Sequence, residues 1–227
     1  MPSMSSFPGG VRAAVPIVLA YVPVAFAMGA AASGMGLTPI ESAVLSGIMF
    51  SGANQALFLS SASAGVSAAL VVALCVAASL RHLLYGFVLR DRIGAGNALR
   101  AVFAYGLTDE VFAAATAASQ RDGMRLCGPW LLGLSLTALA SWIAGTAAGS
   151  LAGEAMRAAG DNVAGALEFA LPVLFVGLVW SAASRAIMLP MVCAGGLAAA
   201  FVGLGLVELA IPAGGLAVLL APNRGGA

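Results

Sequence analysis

The 227-residue chain has no lysine, one histidine (His82), three cysteines, and only 8% charged residues against 61% hydrophobic ones. So little polar surface cannot cover a soluble globule, and a mean hydropathy of +1.03 puts the chain in the membrane class. Its cations are all arginines, which fall singly at the ends of apolar segments and leave a net charge of +1. That excludes a basic field for nucleic acid. Cys75, Cys127 and Cys193 have neither CxxC spacing nor histidine company, so neither a metal site nor a disulfide framework is expected, and they are read as packing residues. No G-x-x-x-x-G-K-[ST] loop occurs, so the chain hydrolyses no nucleotide itself, and no cofactor is expected.

What is present is a series of uncharged windows longer than 18 residues, which suit membrane-spanning helices; barrel strands would alternate over roughly ten residues. Apolar segments run over 13–33, 40–63, 66–89, 101–118, 128–150, 165–183, 186–203 and 205–221. The expected fold is therefore all-α: a polytopic transmembrane helix bundle of seven or eight hydrophobic elements, with a single domain over 11–222 between short tails at 1–10 and 223–227. Arg12, the apolar run after it and Ala25-Phe26-Ala27 loosely resemble a signal peptide. Later runs would anchor the chain in any case, and Pro16 and Pro23 suit a broken spanning helix better. Gly145, Gly149 and Gly153 form a small-xxx-small stripe for close helix packing, internal or with a partner, and Trp130, Trp142 and Trp180 are expected to include interfacial anchors.

Arg90, Arg92 and Arg100 make the loop after the third run the best cytoplasmic candidate, and Arg121 and Arg125 add weaker votes for theirs. If both loops are cytoplasmic, 101–118 cannot make one plain crossing and must re-enter. Polar interruptions point the same way: Ser51-Gly52-Ala53-Asn54-Gln55 breaks the second run and Gly106-Leu107-Thr108-Asp109-Glu110 the fourth. Aligned, the two stretches share an aromatic, then small residues, then a polar pair, a faint internal repeat. Broken segments at matching places in two repeats mark the midplane site of a transporter.

Ser79 to Gly86 carries the remaining chemistry. Arg81 and His82 lie seven or eight residues before the boundary at Arg90, about 10 to 12 Å inside the helix end at 1.5 Å per residue. Arg81 and Tyr85 share a face, and the alternative of Arg81 snorkelling to the headgroups leaves His82 unexplained. Asp109 and Glu110 are costly inside a membrane, so they need a partner or a cavity. Arg81 is the natural partner, while Thr108 would cap a half-helix with both acids in its first turn. Asn54 and Gln55 bring amides that can hold a zwitterion, and Ser51 and Gly52 let a ligand approach the backbone; a polar helix-packing contact explains the amides equally. Ser51 with His82 could imitate the pair of an intramembrane serine protease, but nothing in the sequence secures their approach.

Phe50-Ser51-Gly52-Ala53-Asn54-Gln55, Leu80-Arg81-His82-Leu83-Leu84-Tyr85-Gly86, Leu107-Thr108-Asp109-Glu110-Val111-Phe112, Ser141-Trp142-Ile143-Ala144-Gly145-Thr146 and Phe169-Ala170-Leu171-Pro172 together resemble the AzlC-type branched-chain amino acid permeases in order and spacing, over about residues 10–205. The resemblance implies the large subunit of a two-component exporter in the bacterial inner membrane, working with a small AzlD-type membrane subunit on leucine, valine, isoleucine and sometimes methionine. Two departures, Asn54 where the family usually has serine and Ser79 where it has asparagine, bear on substrate identity more than on transport. The resulting expectation is a midplane site with Ser51, Gly52, Asn54, Gln55, Arg81 and Tyr85 on the substrate. His82, Asp109 and Glu110 are expected as ion-pair or proton-coupling groups. A channel, or a packing subunit with the site in its partner, is the competing expectation.

Overall fold

In the computed structural model the structure describes residues 6–122, 125–158 and 185–206, with 209–210, 213–214 and 216, and the backbone alone at 120–122, 157 and 185–187. The elements expected at 165–183 and over most of 205–221 lie outside the described residues, as do Phe169 to Pro172, Glu168, Trp180, Glu208 and Arg224.

The first helix, α1 (Phe7–Gly34, 28 residues), starts where Ser6 accepts the Gly9 N–H at 3.3 Å and Pro8 occupies the first turn. It begins inside the stretch expected to be a tail, and Pro16 and Pro23 do not break it. Each proline removes the hydrogen bond to the carbonyl four residues back. In lipid a helix still keeps the other backbone groups satisfied, so it continues. At about 42 Å it is long enough to cross a hydrocarbon core of about 30 Å.

Against α1 lies α8 (Gly128–Ala158, 31 residues). A Cβ on Gly10 would overlap the Trp130 carbonyl, and one on Gly133 the Phe7 carbonyl; near the other end Gly29 meets the Thr146 carbonyl and Gly149 the Phe26 carbonyl. Both registers rise together, so the helices run parallel with their backbones in contact. The glycine stripe expected from the sequence is this internal seam: Gly145 and Gly153 abut Ala25 and Ser33 of α1. Trp130 and Trp142 are buried along it rather than anchoring at the interface.

Between these two helices the chain makes two hairpins. The first consists of α2 (Pro39–Ile48) and α3 (Gly52–Ser63) with a break at 49–51. Thr38 and Glu41 form a reciprocal capping box at the start of α2. Ser42 Oγ donates to Ser150 Oγ (3.2 Å) and Ser46 Oγ to Thr146 Oγ1 (2.9 Å), so α2 runs antiparallel to α8, from its C-terminal end towards the middle. The chain then turns back. Asn54 of α3 bonds Ser79, at the far end of α4 (Ala68–Ser79), and a short turn joins the near ends of the two helices. With α5 (Arg81–Leu89), α4 makes a second spanning segment of 22 residues. The join at Leu80 tightens into i→i+3 bonds, Leu80 N–H to Ala77 O at 3.3 Å and Leu83 N–H to Leu80 O at 3.1 Å.

The second hairpin consists of α6 (Asn97–Tyr105) and α7 (Asp109–Asp122), broken at 106–108. Its two ends are tied together. β1 (Ile93–Gly94) pairs in parallel with β2 (Leu126–Cys127), and Arg92 Nη1 donates to Ser119 Oγ at 2.8 Å. The segment 97–122 therefore enters and leaves at the same end, which removes the conflict between the two arginine loops. The first hairpin comes in from the end of the molecule where α1 and α8 finish, the second from the end where they start. A further helix, α9 (Arg185–Gly203), covers the segment expected at 186–203.

The core forms where the hairpin tips meet the α1–α8 pair, with Tyr21, Met28, Phe50, Phe103, Val111 and Trp142 buried together. In contrast, the outer face of 68–89 exposes Val72, Val76, Leu83 and Phe87, as a surface against lipid would.

Candidate functional site

The two breaks face one another. Each ends in a helix N-terminus held by a hydroxyl cap: Ser51 accepts the Asn54 N–H (3.4 Å) and Thr108 the Val111 N–H (3.3 Å). The first turn of a helix leaves N–H groups without partners and carries the positive end of the dipole. Between the tips lies a cavity of about 360 Å³. The first tip contributes Phe50, Ser51, Gly52, Ala53 and Ala56, the second Thr108, Asp109 and Glu110. α1 supplies Ala20, Tyr21, Val24 and Met28, α5 supplies Arg81 and His82, and α8 supplies Trp142.

Charge is arranged unevenly in it. Arg81 Nε is 3.2 Å from Asp109 Oδ1, with the two side chains 38% and 45% exposed. The Nε–H is buried and not directed at an acceptor, so this is a contact of charges without a well-aimed hydrogen bond. Tyr85 adds an O–H donated to the same Asp109 oxygen at 2.9 Å, its ring stacked on Phe112 at 4.3 Å. Glu110 is held differently. Tyr21 Oη lies 2.6 Å from both Glu110 Oε2 and Thr108 Oγ1. The phenol has one proton: when it goes to the carboxylate, the Thr108 hydroxyl can donate back to the phenol oxygen. The ring is wedged edge-on against Trp142 at 5.1 Å and Phe50 at 6.2 Å, which ties α1 to both tips.

Of the residues singled out from sequence, the cavity brings together Ser51, Gly52, Arg81, His82, Asp109 and Glu110. Arg81 pairs with Asp109, not with Glu110. Asn54, Gln55 and Tyr85 are outside the lining. Asn54 Nδ2 donates to Ser79 Oγ at 2.7 Å, while its Oδ1 is buried without a partner. Gln55 is wholly buried: its Oε1 accepts the Trp142 indole N–H (2.9 Å) and its Nε2 donates to Ser46 Oγ (2.9 Å). This amide braces the first tip against α8. His82 Nδ1 is 3.0 Å from the Ser79 carbonyl; a carbonyl only accepts, so Nδ1 carries the proton. The ring also meets Tyr85 edge-on at 5.6 Å. Ser51 and His82 both line the cavity and make no hydrogen bond to each other. Among the described residues no group of His, Cys, Asp and Glu could hold a metal ion.

Sequence reasoning missed Tyr21, Val24, Met28 and Trp142 as lining residues. The one signal for Tyr21 was a phenol within an otherwise apolar helix, a group that must find a hydrogen-bond partner once buried.

Comparison with known proteins gives the family. The family model described as AzlC protein matches residues 16–156. The chain is 37% identical over 186 residues to the inner membrane protein YgaZ of Escherichia coli, covering 81% of this chain and 76% of that one. It is 32% identical over 213 residues to an uncharacterized membrane protein of Archaeoglobus fulgidus, covering 93% and 91%. No solved structure matches it. With three helices long and apolar enough to cross a bilayer, this is an inner-membrane protein, and it belongs to the AzlC family.

Proposed function

We propose that the chain is the substrate-carrying large subunit of a secondary, proton-coupled exporter of branched-chain amino acids, accepting leucine, valine, isoleucine and methionine and working with a small AzlD-type membrane subunit. The observation that carries this reading is a cavity at the meeting of two oppositely inserted broken hairpins, lined by both charged and apolar side chains. Sites of this kind lie near the midplane of transporters built from inverted repeats. The two hairpins, each preceded by a spanning segment, fit such a repeat: α1 with α2–α3, then α4–α5 with α6–α7.

The cavity suits a small zwitterion. Gly52 and Ala53 begin α3 and line the cavity beside Ser51, where a substrate carboxylate would gain from the helix end. Arg81, Asp109, Glu110 and His82 form the charged side. Val24, Met28, Phe50, Ala56 and Trp142 form an apolar wall for an aliphatic side chain. One methylene is worth only about 1 to 3 kcal/mol in such a wall, so several aliphatic substrates should pass. In this reading Gln55 and Tyr85 support the site from behind, and Asn54 joins α3 to α4.

The test is efflux from cells loaded with leucine-, valine-, isoleucine- or methionine-containing dipeptides. Cells lacking this chain should retain the free amino acid, and restoring it together with the small subunit should release it. Efflux unchanged by either manipulation overturns the exporter reading. Export dependent on the small subunit alone would move the site into the partner.

A further inference from the structure

The two neighbouring acids of the second tip are in opposite electrostatic situations. Asp109 is paired: Arg81 is 3.2 Å away and Tyr85 donates an O–H to it. Glu110 lines the same cavity, and its side-chain hydrogen bond comes from a neutral hydroxyl, Tyr21, which also meets Thr108. Among the described residues no arginine or histidine lies within ion-pair distance of Glu110. The groups facing it are Tyr21 from α1, Arg81 and His82 from α5, and Asp109 on its own helix, with Tyr85 behind Asp109. From α3 and α8 the lining residues are Ser51, Gly52, Ala53, Ala56 and Trp142, none of which is charged. Arg81 is taken up by Asp109, so an ionised Glu110 faces the cavity with no cation paired to it.

A carboxylate in that position, in a membrane, calls for a proton or a bound cation. We propose that Glu110 is the coupling group of the transporter, and that its carboxylate is occupied alternately by a proton and by the ammonium group of the substrate. This rests on the amino-acid transport reading above. The exchange balances. Facing the cytoplasm, the Glu110 carboxylic acid releases its proton to water and the carboxylate takes the substrate ammonium. Facing outward, the ammonium leaves and the carboxylate takes a proton. One proton moves inward for each zwitterion moved outward. Tyr21 serves both states without leaving its place: its proton points to Oε2 when Glu110 is ionised and to Thr108 Oγ1 when Glu110 is protonated, both acceptors being 2.6 Å away.

The experiment measures leucine uptake into everted membrane vesicles holding the full chain and its small partner, with pH varied on the outer, formerly cytoplasmic, side. Proton and ammonium compete for one carboxylate, so KM should rise as the outer side is made more acidic, with little change in the maximal rate. Glu110→Gln should have a raised KM that no longer depends on pH. Glu110→Asp, which keeps the carboxylate, should recover the pH dependence. Asp109→Asn should keep it, whatever its loss of rate. In wild type, 4-methylpentanoate, leucine without its amine, should fail to compete with leucine. A pH dependence of KM that persists unchanged in Glu110→Gln, or that disappears in Asp109→Asn instead, overturns the assignment, as does equal competition by 4-methylpentanoate. Wild-type vesicles that take up no amino acid at all would instead sink the transport reading on which this rests. Membrane abundance of each variant, read by immunoblot, separates loss of the protein from loss of coupling.

Discussion

Asp109 and Glu110 are adjacent in sequence, and adjacent residues on a helix point about 100° apart. That angle turns Asp109 towards Arg81 and Tyr85 on α5 and Glu110 towards Tyr21 on α1. Asn54 and Gln55 divide in the same way, one towards Ser79 and the other into the bonds with Ser46 and Trp142. Gln55→Ala leaves the buried Trp142 N–H and Ser46 hydroxyl without it as a partner, a cost of about 1 to 3 kcal/mol. The expected outcome is a lower melting temperature of the detergent-solubilised protein. Ser51→Ala removes a helix cap worth about 1 kcal/mol, and thermal melts of the two variants should fall in that order. An unaltered melt for Gln55→Ala would mean that water replaces the amide and that Gln55 does not brace the tip.

At the scale of elements, the parallel α1–α8 seam is the part most sensitive to volume, because its glycines admit backbone against backbone. A methyl on Gly29 or Gly149 overlaps a carbonyl of the facing helix, and a carbonyl in a packed helix cannot rotate away as a side chain would. Gly29→Ala should cost about 1 to 3 kcal/mol, as overpacking of a tight core does. Gly86→Ala faces open space on α5 and should change stability by no more than about 0.5 kcal/mol. The checking measurement is the temperature at which each solubilised variant loses its monodisperse chromatographic peak. Equal behaviour of the two would mean that the helices slide apart to admit the methyl. The short elements follow the opposite logic: α2, α3, α6 and α7 are each too short to cross a membrane, and their tips are kept by caps and by the partners that Tyr21, Gln55 and Trp142 supply.

For the whole molecule, opposite insertion of the hairpins fixes which loops share a side. In a chain with Cys75, Cys127 and Cys193 replaced, single cysteines at Ala95 and Arg125 should be labelled by an impermeant maleimide from the same side of the membrane, and those at Leu37 and Ala64 from the other. Labelling of positions 95 and 125 from opposite sides would make 97–122 a crossing segment and undo the hairpin. Arg90, Arg92, Arg100 and Arg125 gather at one end through the β1–β2 pairing, so that end should be the cytoplasmic one. The site would then be approached through the α6–α7 hairpin from inside and through the α2–α3 hairpin from outside.

The sequence by itself determined the solvent, the helical class, the two breaks and the residues at their tips. Each of these is a local matter: a long uncharged run must be a helix in lipid, and a capping hydroxyl followed by acids or small residues starts a new one. Thr108 as a cap was legible for that reason, whereas which of Asp109 and Glu110 takes Arg81 was left open. Only the tertiary structure decided that α1 stays whole through two prolines, that the glycine stripe is internal, that Gln55 is bracing, and that Tyr21 joins the site from a helix nearly 90 positions away. These depend on which face of one helix meets which face of another across long separations in the chain. Spacing along a single segment does not contain that information, because it arises when backbones that can approach closely bring distant polar groups into the same small volume.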